Sequence, residues 1–166
     1  TGGWTVKKPQ LLRQHLVAAI PALASDPDKL LIFVDSGGLA GTYRPGLAFE
    51  YRYTLDLVLT DFGSAPEAVM VPLLQWLTRH QPELLANPAN REKLTFEVDV
   101  LGDNLVDLAI KMPLTERVLV TRSADGTVQL QHLPEPPTED AHADTLAGGI
   151  LVADGVQIAT LPAITE

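Results

Sequence analysis

The sequence predicts an α+β fold, in which a mixed, largely antiparallel sheet is flanked by two main helices and followed by a C-terminal β-hairpin arm. Three observations carry this. Two segments, near residues 10–24 and 66–80, space their apolar side chains by three and four; residues 49–60 alternate apolar and polar; and after residue 94 short strands follow one another through tight turns. A chain of 166 residues has room for one core and buries about 69% of its unfolded surface. The expected division is a body over residues 1–133, a Pro-rich acidic linker over 134–144 and the hairpin arm over 145–166.

The first helix, Gln10 to Ala24, turns Leu12, Leu16, Ala19, Ile20 and Leu23 to one side, with Pro9 in its first turn; Pro21 bends or restarts it. Ser25-Asp26-Pro27-Asp28 ends it. Lys29 to Asp35 is an unbroken apolar run stopping at Ser36-Gly37-Gly38, which reads as a central strand buried on both faces, then a glycine turn. In the long strand from Phe49 to Thr60, Phe49, Tyr51, Tyr53, Leu55, Leu57 and Leu59 face inward, and its length suggests projection past its own sheet. Ser64 and Glu67 have capping-box spacing around Pro66, opening a helix that buries Val69, Val71, Leu73, Leu74, Trp76 and Leu77 despite Pro72. Strands are expected over Leu94–Leu101, Val106–Met112, Thr115–Arg122 and Thr127–His132, the last after an Asp125-Gly126 turn. Beyond Leu133-Pro134-Glu135-Pro136-Pro137 no apolar period survives until Ile150-Leu151-Val152, Ala153-Asp154-Gly155 and Val156 to Leu161 form a second Asp-Gly hairpin. Two strands alone are marginal in water, so this hairpin docks on its own body or on a neighbouring subunit.

Composition excludes several classes of function. No apolar run reaches the roughly 20 residues of a membrane span, and the absence of cysteine removes disulfides, thiolate nucleophiles and Cys-based zinc sites. The N-terminal residues do not read as a secretory signal, which makes cytoplasmic synthesis the default expectation. A formal charge of −9 opposes general affinity for nucleic-acid backbone or anionic lipid.

The motif search yields no catalytic set. Asp35-Ser36-Gly37-Gly38 resembles the surroundings of a protease nucleophile, but His15, the upstream candidate base, falls in a helix pattern. Asp61-Phe62-Gly63 and Ala65-Pro66-Glu67 echo kinase motifs with no activation loop between them. His15, His80, His132 and His142 share no metal-ligand spacing, and the C-terminal dipole of the second helix accounts for Arg79 and His80. Glu97, Asp99, Asp103 and Asp107 read as the wet side of strands before they read as a calcium site, and Gly37, Gly38, Gly41 and Gly46 lack phosphate-loop spacing. Tyr43-Arg44-Pro45 and Tyr51-Arg52-Tyr53 interleave aromatic and basic residues, but in an acidic chain they read as strand surface. Trp4 reads as a tag remnant, an anchor folded against the body or a contact to a partner. The expectation is therefore no enzyme, no cofactor and no metal.

Several segments together resemble one family. Lys-Pro-Gln-Leu-Leu-Arg at 8–13, Phe-Glu-Tyr-Arg-Tyr-Thr-Leu-Asp-Leu at 49–57, Thr-Asp-Phe at 60–62 and Val-Pro-Leu-Leu-Gln-Trp-Leu at 71–77 come in order. His-Gln-Pro-Glu at 80–83, Leu-Thr-Glu-Arg-Val-Leu-Val at 114–120 and Leu-Pro-Glu-Pro-Pro at 133–137 follow. In order and spacing they are similar to the tail completion, or R, proteins of peduovirus-type contractile-tailed phages, over Lys8 to Pro137. The resemblance implies a tail-terminator-like, non-enzymatic structural protein. It would form a homo-oligomeric, hexameric ring at the head-proximal neck of the virion tail. There it would end tail growth and meet the tail tube protein, the tail sheath protein and the head-tail connector, with DNA passing through the lumen unheld and no membrane involved. An assembly factor absent from the finished particle, and the terminator of a headless contractile bacteriocin, are the alternatives. Six bodies of this size leave a central opening of about 40 Å. Subunit contacts are expected at Tyr51 and Tyr53 on the long strand and at Ile150, Val152, Val156 and Ile158 on the hairpin.

Overall fold

The computed structural model describes residues 6–42, 47–136 and 144–166. The order is α1 (Lys8–Ala19), α2 (Pro21–Ser25), β1 (Leu30–Thr42), β2 (Ala48–Phe62), α3 (Glu67–His80), α4 (Pro82–Ala86), β3 (Thr95–Gly102), β4 (Leu105–Arg122), β5 (Val128–Leu133), β6 (Gly149–Ala153) and β7 (Val156–Leu161). Short 3-10 turns at Pro27–Lys29 and Pro88–Asn90 join helices to strands. The α+β class holds: β1 to β5 form one antiparallel sheet, β6 and β7 a separate hairpin.

β4 is the spine of the sheet. One of its edges pairs with β2 from Val106 to Leu119; the other takes β3 along Leu105–Lys111 and β5 along Arg117–Arg122. Two expected strands, Val106–Met112 and Thr115–Arg122, are thus one strand running through Pro113. Proline is tolerated there because Pro113 falls in the gap between β3 and β5, on a stretch of edge with no strand to supply with an N–H.

β2 is flanked by β1 and β4 along nearly its whole length and does not project past the sheet. β1 is an edge strand, not a central one: the sheet order is β1-β2-β4-β3. Nor does it end at Asp35. The expected glycine turn is a bulge at Ser36-Gly37, where the register slips between Asp35 and Gly38 and Ser36 adopts φ 50°, after which the strand runs on to Thr42.

One face of the sheet is covered by helices. Leu55, Leu57 and Leu59 of β2 lie opposite Met112, Ile110 and Leu108 of β4 and pack with Leu30, with Leu12 and Leu16 of α1, and with Leu73, Trp76 and Leu77 of α3. Each fully buried side chain of this size contributes about 1.5–3 kcal/mol. Pro21 restarts the first helix as α2, and Pro72 is buried within α3. The Ser64–Glu67 capping box does not form; the Ala65 and Pro66 carbonyls accept the first helical N–H groups instead. Leu74 turns outward, 40% exposed, and Gln75 takes an inward position.

The hairpin folds back on its own chain. Ala159 and Leu161 are buried, β7 lies against α1 and α3, and the Thr160 hydroxyl donates to the Ala18 carbonyl at 3.4 Å. No described helix is long and apolar enough to cross a membrane.

Candidate assembly surface

Along β4, Leu108, Ile110, Met112, Leu114, Glu116 and Val118 occupy the inward register, so the strand's alternation carries a carboxylate into the core. Glu116 is 5% exposed. Its oxygens accept the Lys7 N–H at 2.7 Å, the Lys8 N–H at 3.3 Å and the Tyr53 hydroxyl at 2.7 Å. The first two are N–H groups at the start of α1, which has no side-chain cap of its own. A carboxylate from the sheet therefore caps the helix, where orphan donors and the helix dipole favour negative charge. Burial first, and then Glu116, push the Tyr53 pKa well above its ordinary value, so the phenol remains a donor.

Lys8 completes this cluster. Its ammonium donates to Gln81 Oε1 at 2.7 Å, the Thr115 carbonyl at 2.6 Å and Glu135 at 2.9 Å. Gln81 in turn accepts the Thr115 N–H and donates to the Thr115 hydroxyl. The cluster ties α1, the α3–α4 junction, β4 and the chain after β5 to one point, with all three donors of the ammonium used. His132 approaches Glu116 only to 3.6 Å, too far for a hydrogen bond, and its Nδ1 is buried without a partner.

A second polar contact holds the C-terminal segment. Gln75 receives the His15 ring N–H at 3.0 Å and donates to the Asp144 carboxylate and to the Pro162 carbonyl at 2.9 Å. Beside it, His80 stacks on Trp76 at 4.4 Å and donates to the Thr165 carbonyl at 2.9 Å. Burial lowers the pKa of both histidines, against the raising effect of their hydrogen bonds, so both are held neutral. That corrects the dipole reading of His80; Arg79 is paired with Glu166.

Of the residues expected at subunit contacts, Ile150, Val152 and Val156 are 61%, 55% and 63% exposed on the hairpin, while Ile158 is half-buried against the body. Tyr51 is half-buried, edge-on to Phe49 at 5.2 Å. Tyr53 is a core residue, bonded to Glu116, with almost no surface to give a neighbour. The two sets lie on different elements and are not brought together. Ser36 sits exposed on its bulge, where its N–H bonds the Asp35 carboxylate, and His15 is engaged on Gln75. Among the described residues no cluster could hold a metal ion. Tyr43-Arg44-Pro45, Gly46, His142 and Trp4 lie outside the described residues.

A model of the family described as P2 phage tail completion protein R (GpR) matches residues 6–136. The chain belongs to this family. Tail completion protein R of Escherichia phage P2 is 40% identical over 131 residues, covering 78% of this chain and 84% of that protein. No solved structure matches. As a member of the GpR family the chain is a phage tail completion protein and a component of the phage tail. The matched span holds the whole Lys8–Glu116 cluster and the five-stranded sheet, and leaves out the hairpin.

Sequence reasoning missed Lys8, Gln75, Gln81, Glu116 and Glu135 as structural centres. One of them was legible: Glu116 stands where the alternation of β4 calls for an apolar residue.

Proposed function

We propose that this chain caps the head-proximal end of the tail tube and sheath as a closed, six-fold ring, stops tail growth and offers the surface to which the head joins. Its membership of the GpR family across residues 6–136 carries the reading. A head-to-tail ring suits the task, because it can present one face shaped to the growing tube and a different face beyond it, so that no further tube subunit adds. The role is structural and non-enzymatic, in keeping with a family named for tail completion. The exposed Ile150, Val152 and Val156 supply part of the contact surface, and the net charge of −9 lets DNA pass through the ring without being held.

Imaging of the native particle tests this directly. A ring of this chain at the head-proximal end of the tail, six copies by mass, is the expected result. Its absence from purified particles that need it for assembly would instead identify an assembly factor. Tight, salt-sensitive binding of duplex DNA by the purified chain would refute an unheld passage.

A further inference from the structure

β1 has the sequence of an interior strand and the position of an edge. Leu30-Leu31-Ile32-Phe33-Val34 is apolar on both faces, as in strands covered from both sides. Yet β1 pairs only with β2, and Leu31 and Phe33, on the face away from the helices, are 41% and 50% exposed. Between Leu30 and Val34 this edge bears no Lys, Pro or charge; the Arg13 guanidinium takes the Leu30 carbonyl at one end of the stretch and the Ser36-Gly37 bulge ends it at the other, which leaves Ile32 to Val34 as the unprotected part.

The opposite edge of the same sheet is also bare. All eight residues of β3 are exposed. Phe96, Val98 and Val100 lie opposite Ile110, Leu108 and Val106, hence on the helix side, but the helix layer stops short of them and leaves them 63%, 38% and 82% exposed. Glu97 and Asp99 line the other face, so β3 pairing with β3 of a second copy would set like charges together.

We propose that β3 of one copy pairs with β1 of the next, making the sheet continuous from subunit to subunit. The proposal rests on the ring reading and names its contact. Strand direction supports it: β1, β2, β4 and β3 alternate, so when copies repeat in the same sense β3 meets the next β1 antiparallel, the more stable ladder. The helix sides of the two sheets then coincide, and α1 and α2, which flank β1, extend over Phe96, Val98 and Val100 of the neighbour. On the helix side the exposed parts of Phe96, Val98 and Val100, which the neighbour's helices would cover, amount to about 270 Å² at roughly 150 Å² per residue. That is a little under a third of the roughly 900 Å² of non-polar area in a standard interface, to which the ladder of backbone hydrogen bonds adds; Leu31 and Phe33 lie on the other face, beside Glu97 and Asp99. Pairing of β1 with β1 would close a two-fold dimer, leave β3 uncovered and build no ring.

The chain has no cysteine, which allows a clean cross-linking test. Full-length double variants carry Leu31→Cys or Phe33→Cys together with Glu97→Cys or Asp99→Cys, all on the face away from the helices. Native mass is measured first, and denaturing gels follow oxidation. The expected result is a ring mass and, for at least one pair, a covalent ladder of more than two chains. A ring mass with no ladder from any pair overturns the β1–β3 contact and leaves the ring standing. A covalent dimer from Phe33→Cys alone identifies β1–β1 pairing and also overturns it. A chain that stays monomeric at all concentrations overturns the ring reading with it. Val100→Lys, at a site 82% exposed in the single chain, should leave circular dichroism unchanged and weaken association at least about tenfold; unchanged association would overturn the contact.

Discussion

Replacing Glu116 by alanine tests whether the sheet-borne carboxylate holds the fold together. The side chain is 5% exposed and accepts three hydrogen bonds, from the Lys7 and Lys8 N–H groups and the Tyr53 hydroxyl. Its removal leaves a buried phenol without an acceptor and the first turn of α1 without a cap, while the Lys8 ammonium keeps Gln81, the Thr115 carbonyl and Glu135. A bond to a charged acceptor is worth about 1.5–3 kcal/mol, and of the three lost here the two N–H donors recover part from water, which leaves about 3–5 kcal/mol in all. Glu116→Ala is therefore expected to lose about 4 kcal/mol, or about 8–16 °C in melting temperature for a chain of this size. Glu116→Gln keeps an acceptor but turns an amide toward a donor, so it falls between alanine and wild type; Tyr53→Phe removes one bond and loses about 1–2 kcal/mol. Thermal and urea unfolding followed by circular dichroism measure all three. A Glu116→Ala loss under about 1 kcal/mol, or a Tyr53→Phe loss equal to it, would show that the cluster is not the anchor described.

Three further outcomes follow from the geometry. His15 and His80 have pKa values lowered from 6.5 by burial, so the unfolded chain binds more protons; stability should be full above about pH 6.5 and decline as pH falls toward the folded-state values, and His15→Gln with His80→Gln should flatten that slope in melts from pH 8 to 5. Leu151→Ala with Ile158→Ala, which removes two hairpin side chains packed on the core, should lose about 2–4 kcal/mol in urea unfolding; a loss below about 0.5 kcal/mol, on the order of a surface change, would mean that the hairpin is not docked. Ser36→Gly should be neutral or stabilising by up to about 1 kcal/mol, since it relieves a positive φ, and Ser36→Ala should still support tail assembly in a complementation assay, which a nucleophilic serine would not allow.

The parts of the fold that were legible in the sequence are those governed by local period. The alternation of β2 and the helical spacing of α1 and α3 are set by which face is buried, and the structure uses the faces the spacing implies except on α3, where Leu74 turns outward, Val71 is half-buried and Gln75 lies inward. Position in the sheet is different. The run from Leu30 to Val34 says that both faces want cover, and says nothing about whether the cover comes from the same chain; placing β1 at the centre assumed that it did. Pro113 and Ser36-Gly37 were read as breaks because a proline or a glycine pair ends most strands, but a gap in the partner edge and a bulge accommodate them here. The Lys8 cluster was hidden for another reason. Its members come from residues 8, 53, 81, 115, 116 and 135 and meet only through tertiary folding, although an inward Glu on β4 was a visible exception to the strand's own rule.

The hairpin and the sheet edges pose the same physical problem and are treated in opposite ways. Without Leu151, Ile158 and Ala159, apolar residues of the core that α1 and α3 share would face water; the hairpin covers them within the chain and is fastened by Gln75, Asp144 and the Pro162 and Thr165 carbonyls. For β1 the described residues do this only at its start, where Arg13 takes the Leu30 carbonyl, and for β3 they do not do it at all. A chain that seals one apolar surface with its own last strands, and leaves two free edges of one sheet uncovered, distinguishes stability from assembly by what it buries alone. Because the two edges are unlike, one apolar on both faces and the other apolar on one and acidic on the other, the pairing proposed above would be head to tail. Head-to-tail contacts either close or continue. For a tail completion protein, closure is the outcome that would limit the number of copies.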